Sequence, residues 1–293
     1  MGNERTFEGR LLANPDEDIF DQGLAFDLET VVGRRRMLQL LGTAGIGAGL
    51  FALVGCAPAA SSSATATSNA STAASAGSSA SADCETIPEE TAGPFPGDGS
   101  NGPDVLRQSG IVRSDIRSSF GGSSGVAAGV PLTIKLRIQD VANGCAPLAY
   151  AAAYVWHCTR DGQYSLYSQG VADENYLRGV QAASTDGRVT FQSIFPGCYS
   201  GRWPHIHFEV YRSLDEVTDQ ANKIATSQIA LPKDACDAVY ATAGYEQSVT
   251  NLSRTSLQSD MVFGEDAGAR QLGTVSGSVA AGYTVELVVP VKS

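Results

Sequence analysis

Histidine is scarce in this chain. Of 293 residues only three are His, and two of them, His205 and His207, stand one residue apart. Basic residues are few as well: 20 Lys and Arg against 31 Asp and Glu leave a formal net charge of -11. That balance lacks the basic face needed to neutralise phosphates and argues against a nucleic-acid partner. The six cysteines are too few for a disulfide-dense miniprotein and show no paired CxxC spacing of a zinc site. Helical periodicity is rare beyond Cys84, so strand patterns must account for the fold.

What the N-terminal third does contain is an address. "RRRMLQLLGTAGIGAGLFALVGC", residues 34–56, sets three arginines before an uncharged, Gly- and Ala-rich apolar run, the layout of an export signal. The arginine cluster followed by Met-Leu resembles a twin-arginine signal. The ending "LVGC" resembles a lipoprotein cleavage box, which makes Cys56 the expected acylation site and lipid anchor. Residues 57–83 are almost wholly Ala, Ser and Thr, with no large apolar side chain to offset the entropy of ordering. The expected organisation is an export signal over 1–55, a flexible tether over 56–83 and one folded domain over 84–293. The protein is thus expected to be exported and held at the outer or periplasmic face of a membrane.

The domain is written in strands. "VPLTIKLRIQD", residues 130–140, puts Leu132, Ile134, Leu136 and Ile138 on one face and Thr133, Lys135, Arg137 and Gln139 on the other. Further strands are expected within 149–157, 187–197, 204–212 and 282–291, separated by turns such as "TDG" and "VANG". The pattern predicts an all-β Greek-key sandwich. One short helix, expected to be peripheral, falls around 231–242.

In a strand His205 and His207 point to the same face, with Ile206, Phe208 and Val210 on the other. Two imidazoles so placed can converge on one ion; alternatively they belong to a solvated polar face continuing through Glu209 and Tyr211. Tyr199 follows Pro196-Gly197 just upstream, and Tyr164 follows the tight turn "RDG". Two phenols and two imidazoles form an N2O2 donor set suited to ferric iron, because phenolate is a hard, anionic oxygen donor.

The segments "ETAGPFP" (90–96), "IVRSDIR" (111–117), "GVPLTIKLRI" (129–138), "YVWHCTRDGQYS" (154–165), "RGVQAASTDGRVTFQSIFPGCYSGRWPHIHFEV" (178–210) and "TSQIALP" (226–232) occur in this order. Together they resemble the intradiol ring-cleaving dioxygenases, the family that opens catechol and protocatechuate rings, and most closely its compact secreted branch. The resemblance implies Fe(III) held by Tyr164, Tyr199, His205 and His207, with Tyr199 as the ligand released when substrate binds. It implies that Arg202 stabilises negative charge on the bound catecholate and that Gln228 stands behind the metal. The implied substrates are a small aromatic diol and O2, and the product a cis,cis-muconate. His157 matches no family ligand and reads as a packed histidine beside Trp156. Only five residues separate Tyr199 from His205, which predicts an open mouth to the site.

With Cys56 acylated, Cys84, Cys145, Cys158, Cys198 and Cys236 remain, an odd number, so at least one stays free or pairs outside the chain. Cys198 could lock the Tyr199 turn in a disulfide or stand as a buried thiol. Two other functions stay open: a different His-ligated metalloenzyme, and a surface β-sandwich binding module without chemistry. A cupin-like site would need a histidine beyond His207, and the sequence has none.

Overall fold

The computed structural model describes residues 84–293 and, as backbone alone, the short strands β1 (Thr6–Phe7) and β2 (Arg10–Leu11). Cys56, the tether and the rest of the expected signal lie outside the described residues. Beyond Cys84 the regular elements are β3 (Pro131–Asp140), β4 (Ala146–Pro147), β5 (Ala152–Trp156), β6 (Arg178–Ala182), β7 (Arg188–Ile194), β8 (His205–Tyr211) and β9 (Ala225–Ala230). Two short helices follow, α1 (Lys233–Tyr240) and α2 (Glu246–Leu252), then β10 (Thr274–Ser278) and β11 (Gly282–Val291).

The strands form two sheets. One runs β10-β11-β3-β4 with β7 also paired to β3, and the other runs β6-β5-β8-β9. Their inner faces share one hydrophobic core. Leu132, Ile134, Leu136 and Ile138 of β3 meet Val155 of β5, Ile206, Phe208 and Val210 of β8, and Ile229 of β9. The alternation expected in β3 is therefore realised, each buried aliphatic side chain contributing roughly 1.5–3 kcal/mol relative to exposure. The chain changes sheet between β4 and β5, on both sides of β7, and between β9 and β10, and the architecture is the all-β sandwich expected.

Two details differ from expectation. Helix α1 is short but not peripheral, because Ala235, Cys236, Val239 and Tyr240 are buried in the main core. The Tyr240 hydroxyl donates to the Pro196 carbonyl at 3.1 Å and so braces the turn that carries Tyr199. Strand β8 is buried along its whole length, Glu209 and Tyr211 included, which removes the solvated-face reading of the histidines. Its outer face is roofed by a second apolar layer. There Tyr154, Trp156, Val180 and Tyr211 of the sheet pack with Val105, Leu106 and Ile111 of the covering segment, residues 84–130, and with Tyr164. Lys223 reaches into this layer to pair with Glu209 at 2.9 Å and Asp98 at 3.4 Å.

Cys84 and Cys145 form a disulfide that ties the start of the domain to the turn after β3. Cys158, Cys198 and Cys236 are buried free thiols, so the Tyr199 turn is held by packing and hydrogen bonds and not by a Cys198 disulfide. His157 is the packed residue expected. Its Nδ1–H donates to the Cys158 carbonyl at 2.8 Å, and Nε2 accepts from the Ser193 hydroxyl at 2.6 Å, joining the end of β5 to β7 in the opposite sheet.

Burial, reinforced by the positive charge of Arg178, moves His157 down from 6.5 to about 4, with the Cys158 carbonyl opposing. The unfolded chain therefore binds a proton near pH 6.5 that the folded chain refuses, so this contribution is complete above pH 6.5 and is lost as pH falls toward 4. The stability profile of His157→Gln is expected to be flatter in that window by up to about 1.4 kcal/mol per pH unit. Denaturant unfolding at several pH values measures it, and an unchanged slope would remove His157 from the acid response.

Candidate metal centre

The site begins with a close approach of two turns. A Cβ on Gly197 would lie 2.3 Å from the Arg160 carbonyl oxygen, so only glycine lets the Pro-Gly turn press against the "RDG" turn. The Gly197 N–H donates to the Thr159 carbonyl at 3.0 Å and fixes that contact. Tyr199 from one turn and Tyr164 from the other are thereby brought to the outer face of β8, where the pleat has already aligned His205 and His207.

Four donor atoms converge there. His205 Nε2 lies 3.1 Å from His207 Nε2, 3.1 Å from Tyr199 Oη and 3.5 Å from Tyr164 Oη. His207 Nε2 lies 3.2 Å from Tyr164 Oη. Donors bound tetrahedrally at about 2.0–2.1 Å from a metal stand about 3.3–3.4 Å from each other, so the spacing fits a single ion. The chemistry of the set fits as well. His205 Nδ1 donates to the Trp203 carbonyl at 2.6 Å, which leaves Nε2 as a bare lone pair aimed into the cluster. Burial, with the charge of Arg202, holds His205 down at about 3, and burial with His205 and Arg202 holds His207 well below its ordinary value. Both rings are thus neutral donors at physiological pH. Burial raises both phenols above their ordinary range, a preference that a bound cation reverses. Among the described residues no three His, Cys, Asp or Glu side chains converge, so the donor set is completed by phenols.

The rings are held from behind. His207 stacks on Trp156 at 4.8 Å with planes 5° apart, and Trp156 stacks on Tyr154 at 4.9 Å. Phe95 lies 5.0 Å from the Tyr164 ring. Gly93, with φ +71°, passes so close above His207 that an added Cβ would sit 3.3 Å from Cε1.

Arg202 is buried beside the donors. Its Nε donates to Asp260 Oδ2 at 3.0 Å and its Nη2 to Gln228 Oε1 at 2.7 Å. Gln228 lies opposite His207 in the β8–β9 ladder and donates from Nε2 to the Thr91 carbonyl at 3.0 Å. The structure therefore brings together every residue expected at the site and leaves His157 out of it. Asp260 was not legible in the sequence. Burial alone would raise its pKa, but the charge of Arg202 and the 2.6 Å bond from the Trp203 N–H hold it below the ordinary value and ionised. Its other oxygen accepts from the Val262 and Phe263 N–H groups, so the one available signal was a turn-forming Asp.

No family model matches the chain. A 53-residue stretch is 42% identical to a chlorocatechol 1,2-dioxygenase of Rhodococcus opacus, covering 18% of this chain and 21% of that protein. The match thus spans about a fifth of that relative's length. Among solved structures, an intradiol ring-cleavage dioxygenase from Tetranychus urticae matches with a TM-score of 0.55 at 23% identity, over 71% of this chain and 95% of its own. A further dioxygenase structure matches with a TM-score of 0.56 at 23% identity, over 72% and 95%. The domain has the fold of the intradiol ring-cleavage dioxygenases.

Proposed function

We propose that the domain is a non-haem Fe(III)-dependent intradiol dioxygenase that opens a catechol-type ring with O2 to a cis,cis-muconate-type product. The observation that carries this reading is the convergence of Tyr164, Tyr199, His205 and His207 beside a buried arginine. Bound ferric iron would supply Lewis-acid activation of the diol and a template for its two oxygens. The protein's own groups divide the remaining work. Tyr164 is buried, whereas Tyr199 lies half-buried on a turn, so Tyr199 is the donor with room to leave. Its Oη is the atom placed to take a proton from an incoming catechol hydroxyl. Asp260 and Gln228 fix Nε and Nη2 of Arg202, holding its charge beside the donors to stabilise negative charge that develops on the ring. The roof formed by residues 84–130 keeps bulk water from the histidines.

Export and anchoring through an acylated Cys56 complete the proposal; the basis is the sequence of residues 34–56. Among the described residues no helix is long and apolar enough to cross a membrane.

Iron-loaded protein is expected to be wine-red from tyrosinate charge transfer and to form muconate from at least one member of a catechol panel. A colourless protein that stays inactive after ferric or ferrous loading would overturn the proposal. Tyr164→Phe and Tyr199→Phe should each shift or weaken the band, and an unchanged band removes that residue from the ligand set.

Asp260→Asn should lower kcat about 10–100-fold, because Arg202 loses its orientation, while iron content and colour persist. Loss of iron from this variant would instead place Asp260 in the support of the ligands. For anchoring, labelled palmitate fed to expressing cells should enter the wild type and not Cys56→Ala, and equal labelling of both refutes acylation at Cys56.

A further inference from the structure

We propose that Arg178 is a positioning residue for the metal centre, holding Tyr164 in place by clamping its loop to the covering segment. This rests on the dioxygenase reading and adds a residue that neither the sequence pattern nor the likeness to known folds singled out.

Arg178 opens β6 and is 1% exposed, yet no carboxylate hydrogen-bonds to it. All five of its N–H donors are engaged. Nε donates to Ser165 Oγ at 3.1 Å, and Nη2 to the Ser165 carbonyl at 2.9 Å and the Phe95 carbonyl at 2.9 Å. Nη1 donates to the Pro96 carbonyl at 2.8 Å and to Tyr154 Oη at 3.0 Å. A planar fork with every donor used has one orientation, and it fixes its acceptors in one frame.

Those acceptors surround the donors. Ser165 follows Tyr164 directly, so two bonds to Ser165 fix the backbone from which that phenol projects. Phe95, held through its carbonyl, lays its ring 5.0 Å from that of Tyr164. Tyr154 is the base of the stack that runs through Trp156 to His207. Arg178 is also the cross-strand partner of Trp156, which in turn pairs with His207. One guanidinium thus reaches two of the four donors by separate routes.

The test compares iron-loaded wild type with Arg178→Lys and Ser165→Ala. Lysine keeps the charge but, with three donors on one atom, cannot bridge acceptors on opposite sides of a fork. Arg178→Lys should shift the tyrosinate band and release iron to a chelator about 10–100-fold faster, the range typical for partners behind metal ligands. Ser165→Ala, which removes the Nε contact of the clamp together with the 2.7 Å bond from the Ser165 hydroxyl to the Tyr176 carbonyl, should shift the band in the same direction with a smaller gain in release rate. The unfolding midpoint of the metal-free proteins is measured in parallel, because a purely structural role would lower it and leave band and release rate unmoved.

A folded Arg178→Lys with the wild-type band and release rate overturns the proposal. If that variant does not fold, the same result for Ser165→Ala overturns it. A wild type with no ferric band refutes the dioxygenase reading itself and this inference with it. A coloured wild type with unaltered variants refutes the role of Arg178 alone.

Discussion

His205 Nε2 lies within 3.1 to 3.5 Å of the other three oxygen and nitrogen donors, and His207 Nε2 lies 3.2 Å from Tyr164 Oη, beneath a layer that excludes water. Left to themselves, such groups favour separation and hydration, since two phenols supply only two protons to a cluster of facing lone pairs. Their convergence must therefore be imposed by surrounding structure or compensated by a cation, and the domain is built to impose it. The Pro-Gly turn presses on the "RDG" turn, the pleat aligns the histidines, and the stack of Tyr154, Trp156 and His207 fixes a ring from behind.

The sheet supplies the frame through a single row. Reading across β6, β5, β8 and β9, the register places Arg178, Trp156, His207 and Gln228 side by side. Each end of the row reaches up to the covering segment, Arg178 to the carbonyls of Phe95 and Pro96, and Gln228 to the carbonyl of Thr91. The centre of the row bears the His207 imidazole, one of the four converging donors. Gln228 also holds Arg202, so the buried guanidinium is referenced to the strand adjacent to His207. The arrangement links donor geometry, roof position and charge placement.

How much of this was legible depends on how each residue meets its neighbours. β3 was readable because one face is apolar and the other solvated, the condition that makes alternation visible. β9, "ATSQIA", was missed as a strand because it is buried on both faces and its polar residues are satisfied internally. Ser227, for one, accepts from Gln271 Nε2 at 3.2 Å. The donors were readable because His-x-His and the two turn tyrosines are local patterns. Asp260 was not, since it lies 58 residues from Arg202 and carries no mark beyond a turn preference. Arg178 was hidden by its own chemistry, for an arginine bonded to carbonyls leaves no complementary acid in the sequence to find. The roof was the least legible part, because residues 84–130 contain isolated bridges and no regular strand or helix.

That irregular roof bears on the proposed export route. A twin-arginine system carries proteins that are already folded, and the cytoplasm they leave keeps thiols reduced. The Cys84–Cys145 disulfide closes a separation of 61 residues, worth about 4 kcal/mol by loop-closure entropy. On that route this contribution would arrive only after export. The roof does not depend on it. Ile87 donates to the Pro290 carbonyl and Glu90 to the Thr226 carbonyl, both at 2.8 Å, and Arg178 and Gln228 hold the stretch between Thr91 and Pro96. None of these bonds requires oxidation. The roof can thus close over the donors in a reducing compartment, and the disulfide then secures the start of the domain.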